Sequence, residues 1–249
     1  LIDFTTASRT LFQNPGVQFI AINVTPADAA KHGALALVGD ARATLTALTR
    51  AVRGWRVLTA FTRAVRQAKA DWEKPWRAMT TPARPSADGL LYQSEVIRVL
   101  NEFCDERCTV VHASGGIPGD IHKLWRCKTP TDYHSEYGYS CMGYEIAGAV
   151  GVKLATPERE VYAFLGDGSY LMLNHEIVTA VQEGLKITVV LNDNRAFGCI
   201  HNLQRACGGR SFGNEFRQRN ARSGRLDGAT MAVDYVANAR SLGATVFAA

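Results

Sequence analysis

Apolar residues along this chain come in short continuous runs separated by longer stretches with helical spacing, the rhythm of buried strands alternating with amphipathic helices. Residues 18–24 (QFIAINV) predict a buried strand, and residues 34–38 predict a second, shorter one. Asp40 then stands where a cap would open a helix running to Leu48. Further on, the spacing predicts a helix over 94–103, a strand over 108–112 (CTVVH) and a glycine-rich loop, ASGGIPGD. A small-residue helix over 143–153, a strand over 160–165 (EVYAFL) and a helix over 169–183, ended by Gly184, follow. The remaining expectations are a strand over 186–191 (KITVVL), a helix over 234–241 and the start of a strand at 244–247. Strands that are apolar throughout belong to parallel sheets covered on both faces, so the fold class is α/β.

The pattern divides the chain in three. Residues 1–49 are α/β material, yet two or three strands cannot close a sheet, so they are expected to be the tail of a larger domain. Residues 50–88 are a basic helical linker ended by TTPARPSADG, and residues 89–249 hold the repeated βα units. Charge sharpens this picture. The formal net charge is +5, but nine Lys and Arg against Asp71 and Glu73 give +7 between Arg50 and Arg84, leaving about −2 elsewhere. A uniformly basic nucleic-acid binder would not be so uneven. Trp72 and Trp76, four apart, share one helix face. The segment reads either as an anion-binding surface or as a solvated basic face whose aromatic side packs on a neighbour; the second reading is favoured.

Apolar residues at 47% and charged residues at 20% are ordinary for a globular protein. No run is long enough to predict a membrane span, and no basic-then-apolar leader is visible. The six cysteines are too sparse for a disulfide scaffold. Cys104, Cys108 and His112 sit at helical spacing, which could suggest zinc. No CxxC pair supports it, so buried thiols and a reducing, cytoplasmic setting are expected.

The chemistry concentrates between Glu160 and Gly198. A buried strand ends at Leu165, and Gly166, Asp167, Gly168 and Ser169 turn directly into a helix. Glycines allow a sharp turn and close approach of a ligand, and the free N–H groups of a new helix favour phosphate. A carboxylate beside a phosphate site makes sense with a cation between them, and a hard oxygen ligand suits magnesium. One crossover later a second strand ends in Asn192, Asp193 and Asn194. A right-handed connection puts both strand ends on one edge, so Asp167 and Asn194 can converge on one ion. The run lacks the third glycine of a nicotinamide fingerprint, and no GK[ST] or GxSxG is present.

GDG, then 24 residues, then a pair ending in Asn resembles the cofactor motif of the thiamine diphosphate-dependent enzymes. The pair here is Asp193–Asn194, where many relatives carry two asparagines. Within that superfamily the segments ASGGIPGDIHKLW, YHSEYGYSCMGYEIAGAVGVKLA, GDGSYLMLN and DNRAFGCIHNLQ resemble the branch that opens a cyclic 1,2-dione in bacterial inositol catabolism. The resemblance implies a partial Rossmann-like central domain over 1–49 and a thiamine diphosphate-binding domain over 89–249. It implies thiamine diphosphate and Mg2+ as cofactors, with Asp167 and Asn194 as side-chain metal ligands and Ala196 ligating through its carbonyl. Gly166, Gly168 and Ser169 would meet the diphosphate. Met142 would prop the bent cofactor, unless it is ordinary packing at a helix entry, and the Ser140 carbonyl would accept from the aminopyrimidine. His134, Glu136 and Tyr137 would line the substrate side or fix their own loop. No catalytic residue is assigned here. The activating glutamate of the family stands on a separate N-terminal pyrimidine-binding domain, so none of Glu136, Glu145 or Glu176 takes that role. A second subunit supplying that domain, in a homodimer or homotetramer, is implied, with a small cyclic dione as substrate and neither nucleic acid nor membrane as partner. An acetolactate synthase-like lyase or decarboxylase, and a cofactor-binding fragment without turnover, are the alternatives.

Overall fold

A computed structural model describes residues 12–81 and 89–248. The chain divides into two compact units at Glu73/Lys74. The first contains β1 (Ile20–Asn23), α1 (Pro26–Ala29), β2 (Leu35–Val38), α2 (Ala41–Ala51) and the start of α3 (Thr59–Thr80). β1 and β2 pair in parallel, Ile20 beside Leu35 and Asn23 beside Val38. Asp40 caps α2 by accepting from the Ala43 N–H at 2.8 Å, as its position predicts. Among the described residues of this unit only Ala29 is fully buried, and Ile20 and Leu35 are each 64% exposed. Pro75 lies inside α3, one turn after Asp71 and just past the division between units, where its ring removes a helical hydrogen bond.

The second unit carries α4 (Gln93–Phe103), β3 (Cys108–His112), α5 (Gly116–Leu124), β4 (Tyr133–Ser135), α6 (Tyr144–Ala155), β5 (Glu160–Gly166), α7 (Asp167–Leu173), α8 (Glu176–Gln182), β6 (Thr188–Asn192), α9 (Gly198–Ala206) and α10 (Tyr235–Ser241). Its sheet has the order β4-β3-β5-β6, and every pairing is parallel. Successive strand residues point to opposite faces. Cys108, Val110, Tyr162 and Phe164 therefore pack with Ile97 of α4 and Ile117, Ile121 and Leu124 of α5. Trp76 joins this cluster; its indole N–H donates to the Leu124 carbonyl at 2.8 Å, and the Arg126 guanidinium lies 3.5 Å from its ring centroid. Val111, Val161 and Ala163 face α6, and Leu165 meets Tyr170 and Ile177 from α7 and α8. Both faces are covered, which is why β3 and β5 read as unbroken apolar runs. Each large side chain so buried contributes roughly 1.5–3 kcal/mol.

Four local expectations change. The ASGGIPGD stretch is only briefly a loop. α5 starts at Gly116, and Pro118 falls in its first turn, where a missing N–H is no loss. The helix expected over 169–183 is two, α7 and α8, broken at Asn174 and His175. There the Asn174 amide donates to Asn238, which also accepts from the Tyr170 hydroxyl. No strand forms at 244–247, because the Ala244 N–H closes α10 on the Ala239 carbonyl and no described strand lies beside it. β4 and α9 are additions that the apolar pattern does not predict. The prolines of the 80–89 break, Pro82 and Pro85, and the segment LIDFTTAS lie outside the described residues.

Candidate cofactor site at the carboxyl edge of the sheet

All four strands of the second unit end on one edge, at His112, Ser135, Gly166 and Asn192. The chain leaves β3 for β4 on one side and reaches β5 on the other, the switch point where open α/β sheets bind ligands. Gly166 and Asn192 are register partners, so α7 and the loop after β6 start side by side.

Asp167 is the first residue of α7 and is 1% exposed. One carboxylate oxygen accepts from the Gly168 N–H at 2.9 Å, and the other from the Ala196 N–H at 3.2 Å. The Asp193 carboxyl lies within hydrogen-bonding reach, and burial together with this neighbour pushes Asp167 up to about 6. Asp193 also accepts from the Arg195 N–H at 3.0 Å, and Arg195 itself takes a left-handed conformation, φ 56°. The loop is pinned by Phe197 N–H to the Asn214 carbonyl and by Phe216 N–H to the Arg195 carbonyl. Ala196 is thereby held, buried, opposite Asp167. The Asn194 side chain folds over Gly198, where an added Cβ would stand 2.6 Å from its amide nitrogen. The donors gathered here are carboxylate, amide and carbonyl oxygens, a set that fits a hard divalent cation.

Gly168 and Ser169 form the next turn. A Cβ on Gly168 would lie 2.7 Å from the Phe197 ring and 3.5 Å from Met142 Cε, so this glycine is the floor under both side chains. Ser169 is buried beside Glu145, the second residue of α6. Glu145 is fully buried. One of its oxygens accepts from the Gly143 N–H at 2.9 Å, the other has no partner among the described residues, and burial pushes the carboxyl up to about 7. Ser140 is left-handed at φ 61°, with its hydroxyl 2.5 Å from that of Ser114. Glu136 holds the loop below it, accepting from the Tyr139 N–H at 3.0 Å and the Cys141 N–H at 2.7 Å. His134 stacks on Tyr144 and bonds its hydroxyl at 2.7 Å. Tyr137 packs against His122 at 4.3 Å between centroids. His112, at the end of β3, is wholly buried between His122 and Tyr133 and is pushed down to about 3 by burial, then by His122.

The structure thus brings Asp167, Ala196, Gly168 and Met142 together, with Ser169 one turn on. It places His134, Glu136 and Tyr137 on the β4 side of the same edge. Sequence reasoning missed Glu145, Ser114 and Phe197 as parts of this site. A lone acid in the small apolar helix GYEIAGAVG was the signal available for Glu145; Ser114 and Phe197 carried none.

Fold and edge together define an α/β domain that takes its ligand where the strands end. The family described as thiamine pyrophosphate enzyme, C-terminal TPP binding domain, matches residues 113–249, and the chain belongs to it. Among its relatives is the 3D-(3,5/4)-trihydroxycyclohexane-1,2-dione hydrolase 2 of Bacillus cereus, 42% identical over 266 residues that cover 98% of this chain and 41% of that protein. The 3D-(3,5/4)-trihydroxycyclohexane-1,2-dione hydrolase of Geobacillus thermodenitrificans is 43% identical over 261 residues, 97% of this chain and 40% of the relative. The chain therefore spans about two fifths of the length of these relatives. Among solved structures, the thiamine diphosphate-dependent 4-hydroxybenzoylformate decarboxylase of Rhodococcus jostii RHA1 aligns with a TM-score of 0.52 at 18% identity, over 61% of this chain and 26% of that one, which is a likeness of fold. No helix among the described residues is long and apolar enough to cross a membrane.

Proposed function

We propose that this chain is the cofactor-binding part of a thiamine diphosphate- and magnesium-dependent hydrolase that cleaves a C–C bond of trihydroxycyclohexane-1,2-dione in myo-inositol degradation. The observation that carries this reading is the 42–43% identity, over nearly the whole chain, to relatives bearing that name. The Rhodococcus decarboxylase, far more distant, gives no reason to prefer a decarboxylase.

In this reading residues 1–49 are the end of a central α/β domain, 50–88 a helical linker and 89–249 the diphosphate-binding domain. Asp167, Asn194 and the Ala196 carbonyl hold magnesium, and Gly166, Gly168 and Ser169 meet the diphosphate. Met142, resting on Gly168, props the cofactor, and the Ser140 carbonyl accepts from its amine. Glu136 spends both oxygens on the loop bearing Ser140 and Met142, so it acts by positioning that loop. His134 and Tyr137 face the substrate. The bound thiazolium supplies the electron sink for C–C cleavage. A pyrimidine-binding domain of a second subunit completes each site in a cytoplasmic homodimer or homotetramer, and this chain alone does not turn over.

The test is to incubate the dione with the complete polypeptide, thiamine diphosphate and Mg2+, and to look by mass spectrometry for a product one water heavier. No such product, with the cofactor demonstrably bound, would overturn the assigned substrate. Turnover by residues 1–249 alone would overturn the need for the second domain.

A further inference from the structure

The loop after β6 carries a group that the proposed metal set leaves unused. Asp193 sits between the strand end and Asn194, and its carboxyl is within reach of the buried Asp167. Among the described residues neither carboxyl has a Lys or Arg ion-pair partner. The Tyr235 hydroxyl faces both, is buried and has no hydrogen-bond partner among the described residues. A cavity of about 170 Å³ opens beside them, bounded by Asp193, Arg195, Phe216, Met231, Val233 and Tyr235. Two acids held together with only backbone N–H groups answering them form an electrostatically incomplete arrangement.

One carboxylate, one amide and one carbonyl offer a dication a single negative charge. Such a site leaves the ion dependent on the diphosphate for the rest of its neutralisation. Asp167 and Asp193 together offer two. Building on the function proposed above, we infer that Asp193 makes this a two-carboxylate cradle that takes a divalent cation before the cofactor and independently of it, so that metal and diphosphate load in a fixed order. The same carboxylate opposes the diphosphate as long as the cation is absent, because like charges at a few ångströms repel. Asp193 therefore acts with opposite sign on the two ligands. A residue that only supported the loop would weaken both when changed.

Mn2+ is the probe. The protein is stripped with EDTA, dialysed free of it and titrated with Mn2+ alone, free ion being read by electron paramagnetic resonance. The wild-type chain is expected to bind one Mn2+ without cofactor. Asp193→Asn is expected to bind it roughly 10–100-fold more weakly, the range seen when groups supporting a metal site are removed. In EDTA the same variant is expected to hold thiamine diphosphate more tightly than wild type, by fluorescence or calorimetric titration. Equal Mn2+ affinity in wild type and Asp193→Asn overturns the inference. So does a wild-type protein that takes Mn2+ only together with thiamine diphosphate, a result that leaves the proposed function standing. Binding of Mn2+ alone, with no thiamine diphosphate bound in its presence, leaves the cradle standing and sinks the proposed cofactor.

Discussion

Replacing Glu145 by Gln should make the unit containing α6 more stable above neutrality and leave it nearly unchanged in mild acid. The carboxyl is wholly buried with one oxygen answered by Gly143 and the other unanswered, and it is pushed from about 4.5 to about 7. The folded state therefore favours the protonated acid, while the unfolded chain ionises it freely. Stability from this group is complete below about pH 4.5 and drains away as pH rises through 7. At 1.36 kcal/mol per pH unit the displacement is worth about 3 kcal/mol across that window. A glutamine keeps its carbonyl on the Gly143 N–H, sets a neutral amide where the unpaired oxygen stands, and does not titrate. Urea unfolding followed by the fluorescence of Trp76 and Trp125, both in this unit, at pH 5 and pH 8 measures the effect. Asp167 is also pushed upward and contributes its own slope, so the informative quantity is wild type minus variant, in which that slope cancels. Near-equality at pH 5 and a variant about 3 kcal/mol more stable at pH 8 is the expected outcome. Parallel loss of stability in both proteins would refute the argument and mean that Glu145 is ionised in the fold.

Asp167→Ala should abolish Mg2+-dependent binding of thiamine diphosphate by calorimetry in the complete polypeptide, and an unchanged affinity would remove it from the metal set. Met142→Ala should slow exchange of the cofactor's C2 proton, followed by NMR, far more than it weakens binding; exchange at the wild-type rate would make Met142 simple packing. Gly168→Ala puts a methyl 2.7 Å from the Phe197 ring and should destabilise by about 1–3 kcal/mol in urea, with cofactor binding falling alongside. Trp76→Ala should cost about 3–5 kcal/mol in the same assay, since it empties a buried site and strips the Leu124 carbonyl of its donor.

How much of this could be read from residues alone depended on whether local and tertiary signals agreed. β3 runs from Cys108 to His112 as expected, because five consecutive buried residues leave no ambiguity of period. Asp40 and Asp234 cap their helices through side-chain bonds whose spacing is written in the chain. β4 was invisible, being three residues, Tyr133–Ser135, made a strand only by pairing with Val110–His112. In ASGGIPGD, glycine and proline looked like breakers, but their position in a first turn reverses their meaning. At the site, the turn after Leu165 announced Asp167. What the pattern could not announce was contact across distant segments: Glu145 beside Ser169, Ser114 beside Ser140, and Asp193 leaning on Asp167. Each of these depends on which helices pack side by side, and that information is distributed over the whole sheet.

The clasp made by Glu136 has a thermodynamic consequence. By gripping the Tyr139 and Cys141 N–H groups it holds the turn that carries Ser140 in its left-handed form before any ligand arrives. Freezing a residue's backbone takes about 1–2 kcal/mol of conformational entropy, and here that loss falls on folding. A ligand meeting this wall has less disorder to remove, so its association should be faster and less entropically opposed than for a wall that must form around it. Cutting the clasp with Glu136→Ala would return that disorder to the unbound state. The change should register as a larger unfavourable entropy of association with little change in enthalpy, a readout that needs no turnover.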